Sequence, residues 1–319
     1  MSYQILVSGL VLGSLYAIVA LGYTMVYGII ELINFAHGDV FIFGAFIAIP
    51  TIAGTTVFGW HWPGLIPEFT SPTVAQSIVA IGVAMIVAAA FCAVLGVAIE
   101  RIAYRRLRNS PRLAPLITAI GMSLILENLM FQWQGGGFVA FPDPLTPWAW
   151  NFTLNGQQVT ITNIQLLVFF GALVLMVMLD LFVNRTNTGK AMRAVAQDRE
   201  AASMMGINVN RIISLTFAVG SALAGAGAVL YGMDVLSIGF DSGFALGLFA
   251  FTAAVLGGIG NIRGAVLGGF FIGIVTAYMD NLGAGLGSGW YDTVIFSILV
   301  LVLVFRPAGI LGTNTAEKV

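Results

Sequence analysis

Few side chains in this sequence are of the types that carry out catalysis. The chain has two histidines, His37 and His61, and one cysteine, Cys92. It contains no H-E-x-x-H motif, no G-x-S-x-G motif and no cluster of cysteine and histidine, so a nucleophile, its base and a metal-ligand set are all missing. Cys92 lies in an apolar run and has no partner within the chain, which excludes an intrachain disulfide. The sequence therefore predicts no enzymatic activity, no catalytic residue and no metal ion.

One glycine-rich run, Gly257–Gly264, could suggest a loop that binds phosphate. A phosphate-binding G-x-x-x-x-G-K-[ST] loop needs a lysine and a hydroxyl directly after its second glycine. The two lysines of the chain, Lys190 and Lys318, lie outside any such context. We therefore predict that the chain has no ATP-binding P-loop and no cofactor, so any energy from ATP must come from another chain.

Polar residues interrupt or lie within apolar runs at two places, and such groups are costly inside a membrane. The stretch INFAHGD at 33–39 separates two apolar runs, and Glu127 and Asn128 lie inside a later one. One interpretation of 33–39 is a plain cytoplasmic turn in which Asp39 caps the next helix. The other is a broken helix whose polar groups face a translocation path or an adjacent subunit. The candidates for such a path are Asn34, His37, Glu127 and Asn128.

The composition indicates a membrane protein made of helices. Hydrophobic residues make up 59% of the 319 residues and charged residues 8%, and the mean hydropathy is +0.97. A soluble surface needs about 25% charged residues. We predict an all-α polytopic bundle with about nine spans, within a range of roughly eight to ten, that forms a single domain over 1–319. The predicted spans are 5–30, 40–58, 74–99, 113–131, 164–183, 212–233, 244–260, 264–280 and 291–305.

Cations are confined to some of the connections between these runs. A basic loop at 100–112 and a segment at 184–211 hold most of them, whereas the long segment 132–163 has no lysine or arginine. With about nine spans, every one of the 13 basic residues falls on one side, which is cytoplasmic by the positive-inside rule. The C-terminus is then cytoplasmic and the N-terminus periplasmic. Segment 132–163 is predicted to form an extracytoplasmic cap with a hairpin at Asn155-Gly156.

Glycines recur at a spacing of four in the later apolar runs. In lipid, small residues at this spacing allow two helix backbones to approach closely. We therefore predict helix packing at Gly260, Gly264 and Gly268, and at Gly269 and Gly273.

The segment 184–211 reads NRTNTGKAMRAVAQDREAASMMGINVNR and holds five of the 13 basic residues. We predict a helix that Thr188 caps, that ends near Met205 and that is followed by Gly206 in the C′ position. Met192, Val195, Ala196 and Ser203 would share one of its faces, but Arg199 would share that face too. The residues alone leave two interpretations open, a docking element for a cytoplasmic partner or a solvated loop.

The segment also contains Glu200-Ala201-Ala202 followed, after three residues, by Gly206. This pattern matches the EAA---G element of ABC-importer permeases, although the downstream proline typical of that family is absent. Over nearly its whole length the chain resembles the permease subunits of bacterial branched-chain amino acid ABC importers, and most of all the shorter LivH type. The passages that carry the resemblance are GYTMVYGII (22–30), INFAHGD (33–39), AIGMS (119–123), TGKAMRAVAQDREAASMMGIN (188–208), FTAAVLGGIGNIRGAVLGG (251–269) and RPAGILG (306–312).

The resemblance implies a subunit of the bacterial inner membrane that moves branched-chain or similar hydrophobic amino acids by alternating access. The implied partners are a second permease, two cytoplasmic ATPase subunits and a periplasmic binding protein. Glu200, Ala201, Ala202 and Gly206 would couple the permease to the ATPase. Related permeases handle urea, short amides or aromatic acids, and these substrates remain alternatives. A secondary transporter in which Glu127 relays protons and a non-transporting membrane scaffold are further alternatives.

Overall fold

The computed structural model describes residues 3–57, 60–62, 64–66, 72–108, 110–111, 113–282 and 290–312. Arg112 and Lys318 lie outside these ranges. Helices dominate the described part. They are α1 (Tyr3–Ile30), α2 (His37–Ala53), α3 (Val74–Ile99), α4 (Leu113–Gln134), α5 (Asn163–Arg185), α6 (Asn187–Gln197), α7 (Arg199–Met204), α8 (Val209–Val235), α9 (Ser242–Gly257), α10 (Ile262–Asp280) and α11 (Tyr291–Phe305). The chain continues from α3 through a π-helical turn at Glu100–Tyr104 and a 3₁₀ turn at Arg105–Leu107.

Short strands occupy some of the connections. They are β1 (Thr55–Val57), β2 (Trp60–Trp62), β3 (Val139–Ala140), β4 (Ala149–Leu154), β5 (Gln157–Thr162) and β6 (Ser237–Ile238). Each of the antiparallel pairs β1–β2, β3–β6 and β4–β5 forms a two-stranded sheet.

Six helices of the described part are long and apolar enough to cross a membrane, namely α1, α3, α4, α5, α8 and α10. The shorter apolar helices α2, α9 and α11 have 17, 16 and 15 residues and occupy the other three predicted segments. This arrangement is a polytopic helical bundle, as the composition predicts. α1 and α8 are mostly buried, whereas most of the surface of α3, α4 and α5 is exposed and apolar. The bundle therefore has two central helices and an outer layer that can face lipid.

The hairpin predicted at Asn155-Gly156 is confirmed. β4 and β5 pair from Ala149–Thr162 to Leu154–Gln157, with φ of 48° at Asn155 and 79° at Gly156. Positive φ at both central residues is the geometry of a type I′ turn. The hairpin lies against the first turn of α1, where the Thr160 amide donates to Gln4 Oε1 at 2.8 Å. The end of the bundle that carries β4, β5 and the start of α1 is called the hairpin face below.

The opposite end carries the cations of the described ranges. Arg105–Arg108 follow α3 there, and α6 and α7 lie there between α5 and α8. This end is called the basic face below. Thr186 joins α5 to α6, because its amide donates to the Phe182 carbonyl oxygen and its Oγ1 accepts from the Gly189 amide at 3.0 Å.

The single helix predicted from Thr188 to Met205 is wrong in two respects. Its cap is Thr186, and Thr188 lies inside α6. The helix is also divided at Asp198, which has φ −158° and ψ 113°. Asp198 Oδ1 accepts from the amides of Glu200 and Ala201, at 3.0 Å each. An aspartate that bonds the next amides starts a new helix rather than continuing the old one.

Glycines of α10 allow close backbone contacts with two neighbouring helices. A Cβ on Gly269 would lie 2.6 Å from Ala17 Cα, and one on Gly273 would lie 2.2 Å from Gly13 Cα, both in α1. On the other side of α10, Cβ atoms on Gly264 and Gly268 would lie 2.2 and 2.0 Å from carbonyl oxygens of α9. The backbones of α1, α9 and α10 therefore meet directly.

Gly260 differs from the other four glycines. It lies in the turn between α9 and α10 with φ +93°, and the nearest atom to a Cβ there is 3.8 Å away. Its conformation favours glycine, but it does not lie on a packed helix face.

Candidate functional site

The connection between α1 and α2 turns back into the bundle. Glu31 follows α1 with φ 56°, and α2 begins at His37, whose ring lies against Gly22 of α1. Gly22 precedes the end of α1 at Ile30 by about 12 Å of helix. His37 is therefore well inside the bundle, not at the basic face where α1 ends.

Asp39 lies at the depth of the middle of α4. Ser123, which lies midway along α4, donates a hydrogen bond to Asp39 Oδ2. The N-cap of α2 is Ala36, and no side chain caps this helix, so the prediction that Asp39 caps it is wrong. Asp39 instead lies in the first turn. The geometry therefore fits the broken-helix interpretation, because α2 starts at mid-depth after a non-helical connection.

Several polar side chains are buried around this break. Asn34 Oδ1 accepts from the Tyr104 hydroxyl at 2.9 Å. The His37 ring meets the edge of the Tyr23 ring at a centroid distance of 5.1 Å. Among the described residues, both ring nitrogens of His37, Asp39 Oδ1 and Thr24 Oγ1 are buried without a hydrogen-bond partner. Such groups are rare in folded proteins, because each carries an uncompensated desolvation cost of about 1–3 kcal/mol.

The four predicted path candidates do not all lie together. Asn34 and His37 are buried in the break, 2% and 1% exposed. Glu127 is half-buried one helical turn after Ser123, on the hairpin-face side of it. Asn128 is exposed, and its Nδ2 donates to the Leu124 carbonyl oxygen of its own helix at 2.7 Å. Tyr104 and Ser123 complete the cluster from other helices, so no local sequence signal marked them.

The residues around Glu200 form an exposed corner at the basic face. Met192 and Val195 of α6 and Ala202 of α7 are buried, which fixes both helices to the bundle. Glu200 is exposed, and Met204 and Met205 are 82% and 83% exposed. Gly206 follows in the C′ position with φ +82°.

A cavity of about 390 Å³ lies beneath α6 and α7 at the basic face. Its wall includes the end of α1, Arg108, Pro115 and residues of α6 and α7. Arg199 Nη2 donates to the Ile29 carbonyl oxygen at 3.0 Å, so α7 is attached directly to the end of α1. A shift of α7 would therefore act on the α1–α2 connection.

A buried ion network joins α3 to α8 beside this cavity. Glu100 binds Arg105 at 3.0 Å and also Arg108, and it accepts from Ser214 Oγ at 2.7 Å. Burial lowers the pKa of the Arg108 guanidinium, and the neighbouring Glu100 opposes that shift. The network fixes the geometry of the basic face.

A larger cavity, of about 690 Å³, opens at the hairpin face. Its wall comes from α1, α5, α8, α9, α10 and α11, so no single stretch of sequence could predict it. Its polar lining includes Tyr16, Asp234, Ser242, Thr276, Asp280 and Tyr291.

Comparison with known proteins places the chain in a family. The profile of the family described as "Branched-chain amino acid transport system / permease component" matches residues 5–304. The chain belongs to this family. The LivH-type resemblance drawn from its motifs is therefore confirmed. No solved structure matches the chain.

Relatives in this family match nearly end to end. The high-affinity branched-chain amino acid transport system permease protein BraD of Pseudomonas aeruginosa is 45% identical, over 99% of this chain and 97% of its own length. LivH of Escherichia coli K12, described in the same words, is 41% identical over the same shares. A probable branched-chain amino acid transport permease protein LivH of Methanocaldococcus jannaschii is 27% identical over 98% of this chain and 93% of its own length.

Proposed function

We propose that this chain is the membrane-spanning permease subunit of an ABC importer for branched-chain amino acids. The observation that carries the proposal is the match to two named high-affinity permeases over nearly the full length of both chains. The chain acts with a second permease, two ATPase subunits at the basic face and a periplasmic binding protein at the hairpin face. Its substrates are leucine, isoleucine and valine, and the urea, amide and aromatic-acid permeases of the superfamily are the alternatives.

The proposed orientation places the basic face in the cytoplasm of a bacterial inner membrane. In the part of the chain that the structure describes, the cations lie where α3, α5 and α11 end, where α8 and α10 begin, and along α6 and α7. Moving cations across a membrane against its potential is unfavourable, which supports this orientation. The shorter helices α2, α9 and α11 then act as spans together with the six long ones, for about nine in all. The N-terminus is periplasmic and the C-terminus cytoplasmic.

The coupling of ATP hydrolysis to transport is proposed to run through Glu200, Ala201, Ala202 and Gly206. Glu200 and Gly206 are exposed there together with Met204 and Met205, and this corner offers an apolar and acidic surface to a partner. The bond from Arg199 to Ile29 supports transmission from this corner to α1 as a rigid-body movement.

The experiment that tests this function is reconstitution of the whole importer in proteoliposomes with ATP in the lumenal space facing the ATPases. We expect accumulation of radiolabelled leucine that requires both ATP and the binding protein. Uptake that persists without ATP under an imposed proton gradient would instead favour the secondary transporter with Glu127 as its proton relay. Unlabelled urea, short amides, aromatic acids and leucine are then added as competitors of the radiolabelled leucine. If the permease serves one of the other substrates, that compound will reduce the uptake more than unlabelled leucine does.

A further inference from the structure

The two ends of the chain have the same helical plan. α1 and α8 have 28 and 27 residues, and α2 and α9 have 17 and 16. Glu31 follows α1 with φ 56°, Leu236 follows α8 with φ 59°, and in both cases the next helix begins six residues later. A left-handed non-glycine residue is uncommon, so its recurrence at matching positions points to a repeat.

The sequence around the two breaks repeats as well. Aligning Glu31 with Leu236 places identical residues opposite each other without a gap. From the breaks through α2 and α9, the identical pairs are Ile33 and Ile238, Phe35 and Phe240, Gly38 and Gly243, Ala45 and Ala250, Phe46 and Phe251, and Ala48 and Ala253.

The helices also pack in a reciprocal manner. α1 makes its most extensive contact with α10, and α8 makes its most extensive contact with α3. Both contacts depend on a glycine, because a Cβ on Gly269 would lie 2.6 Å from Ala17 Cα and one on Gly96 would lie 2.7 Å from Ser221 Cβ. α2 packs between α3 and α8, as α9 packs between α10 and α1. The set α1–α4 therefore corresponds to the set α8–α11.

The two sets run in opposite directions through the bundle. α1 runs from the hairpin face to the basic face. α8 begins at the basic face, where Arg108 donates to Asn210, and it ends at the hairpin face, where the Phe141 amide donates to the Leu236 carbonyl oxygen. The halves meet at their breaks. A Cβ on Gly38 would lie 2.1 Å from the Gly243 carbonyl oxygen, and one on Gly243 would lie 2.9 Å from the Gly38 carbonyl oxygen.

The same alignment makes His37 the counterpart of Ser242 and Val40 the counterpart of Ala245, and the members of each pair differ in exposure. Ser242 and Ala245 line the 690 Å³ cavity at the hairpin face. His37 and Val40 are 1% and 0% exposed, and neither lines the cavity at the basic face. The two halves therefore have similar plans but different conformations. The start of α9 lines a cavity, whereas the start of α2 does not, although Glu31 and Leu32 of the first break border the basic-face cavity.

We infer that the chain is an inverted repeat whose halves exchange conformations about the Gly38–Gly243 contact, so that His37 and Val40 line a cavity open to the basic face in a second state. Inverted repeats of this kind give a transporter two related states, one open to each side. Opening the basic-face half would give the unpartnered nitrogens of His37 access to water or substrate. The inference rests on the proposed transport function, because it assigns the second state to the transport cycle.

α7 is placed to control this exchange. Its Arg199 lies in the wall of the basic-face cavity and is bonded to Ile29, which precedes the break by two residues. A pull on α7 would therefore act on the half of the repeat in which the start of the second helix, α2, is closed in this structure.

The test is thiol labelling of the complete importer in sealed vesicles, with a membrane-impermeant maleimide applied from one side at a time. The background is Cys92→Ala, which removes the single cysteine of the chain. The variants are Ser242→Cys, His37→Cys and Val40→Cys. The matched control is Ala45→Cys, because Ala45 and its counterpart Ala250 are both 0% exposed.

Without nucleotide, we expect Ser242→Cys to react from the hairpin face and His37→Cys and Val40→Cys to stay unreactive. In the nucleotide state in which Ser242→Cys is protected from the reagent, His37→Cys and Val40→Cys should react from the basic face. Their rates should rise at least about tenfold, since a minor state holds about 0.1–10% of the molecules. Ala45→Cys should stay unreactive throughout.

The inference is overturned if Ser242→Cys becomes protected while neither His37→Cys nor Val40→Cys gains reactivity from the basic face. Val40→Cys is nearly isosteric, so it decides the question if His37→Cys fails to insert. ATP-driven uptake by the background variant is measured in the same vesicles. If ATP-driven uptake occurs without reciprocal labelling, only the inference is wrong. If ATP-driven uptake is absent, the proposed function is wrong.

Discussion

Glu100 lies fully buried where α3 reaches the basic face, and its carboxylate binds Arg105, Arg108 and Ser214. Removing one member of a buried ion pair leaves the others desolvated without compensation. Arg105 is 38% exposed and stays partly hydrated, so the loss is smaller than for a wholly buried pair. We expect Glu100→Ala to lower the free energy of unfolding by about 2–4 kcal/mol.

The measurement for Glu100→Ala is thermal or denaturant unfolding of the purified protein in detergent. The matched control is Glu200→Ala, which removes an exposed carboxylate outside the network and should change stability by no more than about 0.5 kcal/mol. Equal stability of the two variants would show that the Glu100 network is not needed for folding.

Glu200 is exposed at the corner formed by α7, and the proposal gives it a role with the ATPase rather than in folding. We expect Glu200→Lys to abolish leucine uptake and leave the protein in the membrane, because a charge reversal alters the docking surface without touching the core. The measurement is uptake in cells together with the amount of permease in isolated membranes. Arg263→Glu serves as the control, since it reverses an exposed charge of the same face outside the segment. Wild-type uptake by a well-expressed Glu200→Lys variant would count against the role.

At the scale of elements, α10 is held by backbone contacts that only glycine permits. A methyl group on Gly273 would lie within 2.2 Å of Gly13 backbone atoms. We expect Gly273→Ala to separate α1 from α10 and to lower the amount of folded permease in the membrane severely. Gly121→Ala is the matched control, because no atom lies within 4 Å of a Cβ there. That control should be neutral or stabilising by up to about 1 kcal/mol, the difference in helix propensity. Normal levels of Gly273→Ala would contradict the packing.

The helices and the hairpin could be predicted from sequence because their signals are local. Apolar length predicts a span, and Asn155-Gly156 predicts a tight turn. The division of 184–211 into α6 and α7 was missed because it depends on whether the Asp198 carboxylate bonds solvent or the next two amides. The depth at which α2 begins was not predictable either, because His37 lies against Gly22 of α1 and Asp39 accepts a hydrogen bond from Ser123 of α4. The cavity at the hairpin face was missed because six helices contribute to it.

At the scale of the whole molecule, the bundle has two chemically different ends, and the proposal assigns each to a different partner. The basic face has an exposed corner of Ser203, Met204 and Met205, and the hairpin face has the β4–β5 turn at Asn155-Gly156. We expect Ser203→Cys to crosslink to an ATPase subunit and Asn155→Cys to crosslink to the binding protein, each in the Cys92→Ala background. The physical reason is that the two faces lie at opposite ends of the bundle. If the cations hold the basic face on one side of the membrane, the hairpin face lies on the other side and meets a different partner.

The measurement for this pair is crosslinking with a short bifunctional thiol reagent in the complete importer, followed by identification of the joined chains. If Ser203→Cys instead crosslinked to the binding protein, the orientation proposed for the bundle would be wrong. Asn155→Cys also breaks the bond that Asn155 Nδ2 donates to Tyr3. Gln158→Cys, on the exposed strand beside it, therefore serves as the second position, and agreement between the two shows that the contact belongs to the hairpin and not to a disturbed turn.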